Sequence, residues 1–536
     1  MKRRLLLGSV CLAAMVASGP AFAQSANVSD QIKALQAQIK QQQDMLQTQQ
    51  QQLKSLVEQV NSSQVQAKQA NDTAKAAEAK VETVQKQVPA AAAAGPTVTM
   101  SPTNRPGWRS ADGRNSIELT GLLQFDYGAQ GFHPSTTTQA LTKLQSGVNT
   151  RRAQIGFNAK FMDDWGVDFN YDFGNSSENI DPTKSTGGIS AGFKTARMSY
   201  RGFKPFDSQM QLEWGYETPP TQLDDAMGSS AYPFIEHPTP ERLATSVAAG
   251  NARSVVGARD YTDRFFGFVA FSGPKAGDPH IAAPSTATAT GATPSAGGSG
   301  SEQIAVITRF VYAPLMDGAD QLHIGGGFSK ILQPTYKSFG GGTANFNSAT
   351  LSDETELRVD PTNVTSISLG TLANPLSSIT VYEGELSGQY GRIYGAGEYF
   401  HWDVERVGLR DVQMDGGYGE LFYSITGEQH RYVPSSAAYA NLSPLHPVSL
   451  SRGGMGAWEV GARYSVMFAN PLWTSGVKTQ DVAAVNGGVG QDFTLGVNWY
   501  ATDNVRIQFN GLHGFLNNAA NGGHWNTLAL RTQMAF

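Results

Sequence analysis

Cysteine is almost missing from this chain: among 536 residues there is one, Cys11. It lies in a short apolar stretch near the N-terminus, so the remainder can form neither disulfides nor a thiolate metal site. Charge is scarce as well. Asp, Glu, Lys and Arg make up 16% of the residues, where a soluble globular domain carries ~25%. Long hydrophobic runs are absent too, and without ~18 consecutive uncharged apolar residues a helical membrane protein is excluded. The mean hydropathy of -0.30 says that greasy residues have not replaced the missing charge. What the chain has instead is 58 glycines and many aromatics, 26 Phe, 18 Tyr and 8 Trp, a content that argues against disorder throughout.

The N-terminus carries an export address. Lys2-Arg3-Arg4, an apolar stretch from Leu5 to Val16 and Ala21-Phe22-Ala23 are the three parts of a secretory signal peptide, residues 1–23. Without its three basic residues the formal charge of -5 falls to -8, which argues against nucleic acid as a partner.

Residues 24–89 differ from everything after them, being rich in Gln, Ala and Lys and free of aromatics. Counting sevens from Ile32 gives Ile39, Leu46, Leu53, Val60, Ala67, Ala74, Val81 and Val88. Counting from Leu35 gives Gln42, Gln49, Leu56, Ser63, Ala70, Ala77 and Val84. This unbroken heptad predicts a coiled coil, a rod of roughly 85 Å at ~1.5 Å per residue. A single copy of such a stripe has nothing to pack on, so it implies parallel copies of the chain or a helix laid on a partner. Pro89 stops the helix, and residues 90–114 read as an extended linker.

From Ser116 the period becomes two. Ile117, Leu119, Gly121, Leu123, Phe125 and Tyr127 alternate with mostly polar residues, as do Trp165, Val167, Phe169, Tyr171 and Phe173, or Trp458, Val460, Ala462, Tyr464 and Val466. Alternating segments of about ten residues with aromatic ends are what a transmembrane β-barrel needs, since lipid takes one face and water the other. Sixteen such segments between 116 and 536 predict an all-β transmembrane barrel of sixteen antiparallel strands, residues 115–536, preceded by the helical coiled coil. An even count puts both barrel ends on the periplasmic side of an outer membrane, and the coiled coil with them. Residues 351–360 alternate weakly, as a possible extra strand, and 428–454 is a long connection on the side where turns are usually short.

Several blocks resemble a known family. Arg151-Arg152-Ala153-Gln154-Ile155-Gly156-Phe157, Gly202-Phe203-Lys204-Pro205-Phe206, Ile425-Thr426-Gly427-Glu428, the run Gly456 to Ser465 and Gly496-Val497-Asn498-Trp499-Tyr500 resemble the phosphate-selective porin O and P family. The likeness implies a homotrimer of sixteen-stranded barrels that passes anions across a Gram-negative outer membrane, with segment 218–250 as the loop folded into the pore. The coiled coil ahead of the barrel resembles that of dicarboxylate-type trimeric porins. One departure bears on selectivity: Phe234-Ile235-Glu236-His237 stands where the family shows Phe-Met-Glu-Arg, so a permanent charge becomes one mostly neutral near pH 7.

With the apolar face outward, Arg152, Lys160, Arg197, Arg201, Arg309, Arg463, Arg506 and Arg531 point into the lumen. They are the expected anion path, because guanidinium donors match phosphate and carboxylate oxygens. The competing expectation is that they pair with lumen acids such as Asp168, Asp172, Glu213, Glu217, Glu459 and Asp492, Glu459 being four residues from Arg463 on the same face. The pore-loop candidates are Asp224, Asp225, Glu236, His237, Glu241, Arg242 and Arg253. No nucleophile motif, clustered histidine set or nucleotide loop occurs, so neither a catalytic residue, a metal site nor a cofactor is expected. The reading is a passive channel for small anions such as phosphate or organic acids, with outer-membrane lipid, further copies of itself and an envelope component such as peptidoglycan as partners. The alternatives are a weakly selective porin with an envelope-tethering coiled coil and, second, an outer-membrane barrel enzyme.

Overall fold

The computed structural model describes residues 96–536 apart from 102–103, 175–191, 249–251, 276–302, 335, 340–342, 348, 372, 450, 452, 470–486 and 519–520; before residue 96 it describes only Lys40 and Lys54. The signal peptide and coiled coil read from the sequence therefore lie outside the described residues.

Two short strands come first, β1 (Thr97–Met100) and β2 (Pro106–Arg109). The wall follows: β3 (Ser116–Pro134), β4 (Gly147–Phe161), β5 (Trp165–Asp172), β6 (Gly192–Tyr200), β7 (Gln211–Glu217), β8 (Arg253–Tyr261), β9 (Phe265–Lys275), β10 (Ile304–Asp317) and β11 (Asp320–Gln333). After four small strands, β12 (Tyr336–Phe339), β13 (Thr343–Asn347), β14 (Ala349–Asp353) and β15 (Thr365–Leu369), the wall resumes with β16 (Leu376–Tyr390), β17 (Ile393–Arg406) and β18 (Val412–Ser424). A second small pair, β19 (Tyr432–Val433) and β20 (Ala438–Tyr439), precedes β21 (Ala457–Ala469), β22 (Gly488–Tyr500), β23 (Val505–Asn517) and β24 (Gly523–Ala535).

Each wall strand pairs antiparallel with the next, and β24 pairs back onto β3 from Gly523–Pro134 to Ala535–Leu122. The wall is thus a closed antiparallel barrel of sixteen strands. Closure satisfies every strand edge, which the hydrocarbon core demands because no water there can pair a free backbone group. At the seam, Phe536 exchanges backbone bonds with Gly121 at 2.9 and 3.0 Å. Its ring occupies the space a Cβ at 121 would need, so the seam needs glycine there. All sixteen alternating segments of the sequence became wall strands, and the short turns 162–164, 262–264, 318–319, 391–392 and 501–504 lie at the same end as the termini.

Two readings change. Within 90–114, read as linker, β1 and β2 form an antiparallel hairpin, and β2 adds to β3 at Gly107–Glu118, just beyond the end of β24. Four-residue strands are too short to show a period of two. The weak alternation at 351–360 belongs partly to a hairpin outside the wall, β14 with β15. The long connection between β18 and β21 does lie at the short-turn end, and it folds back into the barrel, as its partners inside the lumen demonstrate below.

The apolar-outward rule holds over the membrane band, where Leu123, Phe125, Ile155, Phe310, Leu386 and Phe509 are exposed on the outer surface. It inverts toward the long-loop end. There Phe400, Trp402 and Val404 of β17 face inward and are fully buried, while His401, Asp403 and Glu405 face out. Beyond the bilayer the outside is water and the inside is filled by protein, so the sorting reverses. The filling consists of two helices in the β7–β8 connection, α1 (Leu223–Met227) and α2 (Thr239–Ala248), together with β14 and β15. Leu243, Ala244 and Val247 of α2 share an apolar core with Phe268, Ile307, Leu351, Ile367 and Trp402.

Candidate functional site: the pore constriction

Between α1 and α2 the chain runs without secondary structure from Gly228 to Pro238, so its carbonyls have no ladder of their own and must be paired by something else. Side chains of the barrel wall do this. Gln124 donates to the Ser229 carbonyl (2.9 Å), Gln533 to Ser230 (2.9 Å), Arg506 and Gln508 to Tyr232 (3.0 and 3.2 Å) and Asn498 to Pro233 (2.8 Å). Arg531 donates to Ile235 (2.5 Å) and Arg463 to Glu236 (2.9 Å). Arg463 also stacks on the Phe234 ring, 4.6 Å from its centroid, and that ring packs on Phe422 at 4.8 Å.

Glu236 is the hub of the charges. Arg151 donates to it through Nε (2.5 Å) and Nη2 (2.9 Å), and Arg531 through Nη2 (2.8 Å) while also forking onto Asp126 at 2.7 Å twice. Burial alone would raise the Glu236 pKa, but Arg151 and Arg531 outweigh it and hold the carboxyl well below the ordinary value. Arg358, from the β14–β15 turn, stands 3.9 Å from Glu236; burial and the neighbouring Arg242 and Arg151 push its guanidinium down to about 10. From the same turn Glu356 accepts from Arg463 (2.7 Å) and Ser465 (2.9 Å).

The other lumen candidates divide. Arg152 donates to Gln124 (2.7 Å) and lies over the Tyr232 ring, while Arg506 has Asn441 and Gln508 as side-chain partners; among the described residues neither makes an ion pair. Arg309 is fully buried, bound to Glu385 at 3.0 Å and donating to the Ser436 and Ala437 carbonyls of the 425–456 connection. Arg197 sits among Asp168 (2.5 Å), Glu217 (2.6 Å) and Glu213 (3.5 Å). Lys160 and Arg201 are exposed near the short-turn end, Lys160 being 3.5 Å from Asp163. Glu459 and Arg463 do not pair with each other: Glu459 takes His430 (2.9 Å), Asn498 and Tyr500, and Arg463 takes Glu356. Both gain a partner from an inserted segment, which spacing along one strand cannot reveal.

Of the pore-loop residues, Arg253 starts β8 and donates to the Ser246 carbonyl (2.9 Å), and Asp353 and Glu354 keep the Arg242 guanidinium charged against its burial. Asp224, Asp225, His237 and Glu241 gather at the facing ends of α1 and α2. His237 Nδ1 lies 2.5 Å from Asp224 and 3.1 Å from Glu241. Burial, then Asp225 and Asp224, raise the Glu241 pKa well above the ordinary carboxyl value. Among the described residues two groups bring three ligand atoms within 4.8 Å of one another, Asp224 with His237 and Glu241, and Glu383 with Glu385 and Glu398.

Sequence reasoning missed Arg151, Glu356, Arg358 and Glu398. Strict alternation sends Arg151 to the lipid; a β-bulge opposite Gln124 and Phe125 turns both Arg151 and Arg152 inward. The signal was available, since an arginine on a lipid face is itself a contradiction. Glu398 accepts from the Leu223 and Asp224 amides (2.8 and 3.2 Å) and so holds the start of α1. It belongs to an acid-rich wall, Glu383, Glu385, Glu398 and Glu420 on β16 to β18, set five to eight strands round the ring from the arginines of β3 and β4.

The 425–456 connection closes on the same region from the other end. His430 meets Glu459, Asn441 donates to the Ser230 carbonyl (2.8 Å), and Tyr439 packs on Tyr394 at 4.9 Å. Burial would lower the His430 pKa, but Glu459 overcomes it and raises the value above the ordinary histidine range.

This is a closed barrel narrowed by segments from both ends, and the model of the family described as phosphate-selective porin O and P matches residues 117–536. The chain belongs to that family. It is an outer-membrane porin and not an enzyme. The porin is 23% identical over 415 residues to Porin O of Pseudomonas aeruginosa, covering 74% of this chain and 82% of that one. Among solved structures it is similar to the anion-selective porin from Comamonas acidovorans (13% identity, 79% of this chain and 100% of that chain, TM-score 0.42). It is similar also to DcaP of Acinetobacter baumannii (10%, 79% and 97%, TM-score 0.42).

Proposed function

We propose that this porin is a passive, water-filled diffusion channel for small anions, inorganic phosphate or organic acids, whose selectivity is set where segment 218–252 meets the arginine-lined wall. The observation that carries the proposal is the pair Arg152 and Arg506. Both are buried beside the loop with neutral partners only, so their charge is not cancelled locally and is available to an anion. Arg151, Arg463 and Arg531 add to the same wall, although acids take up most of their charge. The acid-rich wall opposite sets up a transverse field that orients polar solutes. It also favours the second reading, a weakly selective pore.

Planar-bilayer recording of the purified protein tests this. A reversal potential on the anion side in a KCl gradient, with phosphate reducing chloride current, is expected. Cation preference would refute it, and a potential near zero would establish the weakly selective reading.

The homotrimer is proposed on two grounds. The uninterrupted heptad of 24–89 calls for parallel copies. On the outer wall Gly384, Gly388, Gly395 and Gly397, beside Leu322, Leu386 and Leu421, leave an apolar groove that a neighbouring barrel can fill. Export through signal peptide 1–23 would place the coiled coil in the periplasm, within reach of peptidoglycan or another envelope component. Deleting 24–89 should leave conductance intact while weakening the trimer in detergent.

A further inference from the structure

We propose that Asp224, His237 and Glu241 form a binding site for one divalent transition-metal ion of the zinc class, which ties α1 to α2 at the base of the pore loop. The three ligand atoms lie within 4.8 Å of one another. The fold brings them together although Asp224 is thirteen residues from His237; only the spacing of four between His237 and Glu241 hinted at a shared face.

The observation that asks for an ion is Glu241. It is completely buried, yet neither carboxylate oxygen has a hydrogen-bond donor. Its nearest partner is His237 Nδ1 at 3.1 Å, and that nitrogen is closer to Asp224 Oδ2, at 2.5 Å. One nitrogen carries at most one proton and so satisfies one of the two carboxylates. By contrast Glu236, Glu356 and Glu385 each hold a guanidinium at 3.0 Å or less. A buried carboxylate left unpaired is costly, and a cation shared by all three groups removes the cost.

The geometry is close to that of a metal centre. With bonds of about 2.0–2.1 Å in a tetrahedron, neighbouring donors stand about 3.3–3.4 Å apart. The His237–Glu241 separation of 3.1 Å already nearly meets this, and Asp224 has to withdraw by less than an ångström. Asp225 Oδ1 lies 3.9 Å from His237 Nε2, beyond hydrogen-bond distance but on the side from which a carboxylate orients a ligating imidazole, and its Oδ2 has no donor. The Tyr232 ring packs on the imidazole with centroids 4.2 Å apart and fixes its plane. One imidazole with carboxylates favours zinc, cobalt or nickel over magnesium or calcium, which prefer all-oxygen cages. The half-exposed edge from Asp225 to Ser230 gives the ion a route from the lumen. The site does not depend on which solute the pore passes.

The test is equilibrium binding of zinc chloride to chelator-treated, detergent-purified porin, followed by calorimetry, with the visible spectrum of the cobalt-loaded protein reporting coordination. One ion per protomer is expected, held in excess magnesium, with a tetrahedral cobalt spectrum. His237→Gln and Glu241→Gln should each weaken binding tenfold or more. His524→Ala should not, although His133, His513 and His524 stack near one another on the barrel. Absence of binding, displacement by magnesium, binding that survives both loop variants, or its loss in His524→Ala would overturn the proposal. Should either loop variant misfold, the cobalt spectrum of the unaltered protein decides, an octahedral all-oxygen or absent signal counting against the site.

Discussion

Replacing Glu236 with glutamine separates the two roles of the arginine wall. Arg531 keeps its fork onto Asp126, so its charge stays balanced, but Glu236 is the carboxylate on which both Arg151 bonds end, at 2.5 and 2.9 Å. The variant leaves Arg151 charged and buried without its counter-ion, a change of about 3–5 kcal/mol for a fully dry pair. Pore water lowers that figure. The loop should loosen, seen as faster proteolysis within 218–252. The same change adds one net positive charge at the constriction. A monovalent anion passing about 8 Å away gains about 0.5 kcal/mol if the surroundings behave like water and about 2 kcal/mol at an effective dielectric of 20. The local anion concentration then rises roughly two- to thirtyfold. Reversal potentials across a KCl gradient should move toward the anion limit, and the charge-matched double variant Arg151→Gln with Glu236→Gln should move back. An unchanged potential in Glu236→Gln, or a double variant as shifted as the single one, would refute the view that charge at this site sets selectivity. Because the Glu236 pKa is depressed, its contribution is complete above the unfolded value near 4.3 and is lost only as pH falls through the lower folded value.

Further expectations concern the loop anchors. Phe234→Ala removes a fully buried ring held between Arg463 and Phe422 and should cost about 3–5 kcal/mol, read as a lower urea midpoint and noisier single-channel current. The His430–Glu459 contact has a raised histidine pKa, so its stabilisation is full below pH ~6.5 and fades as pH rises through the folded value. Protease access to 425–456 should accordingly increase with pH, and His430→Gln should abolish that dependence. Stripping the metal from a zinc-loaded porin with a chelator restores the negative charge of the Asp224–Glu241 cluster. The reversal potential should shift toward cations and recover on adding zinc; no shift would mean that the cluster lies out of reach of the ion path.

The barrel was legible because its selecting force is simple. Water and lipid act on alternate residues of every strand, so Phe125 against Asp126 or Leu530 against Arg531 states which side each takes. The pore loop was legible as a place, since 218–250 is long and carries both signs of charge. Its contacts were not. They join residues hundreds of positions apart, Glu236 to Arg531 or Asn441 to Ser230, through loops whose own sequences carry no period.

The sequence by itself determined the strand count, the face each strand turns to lipid and the lumen position of arginines such as Arg463, because each follows from local alternation in two solvents. The tertiary structure alone decided what those arginines do. Loop carbonyls buried against the barrel wall must be paired, and the wall side chains that pair them are chosen by proximity across the barrel, so charges that alternation offers to solute are partly committed to holding the constriction in place.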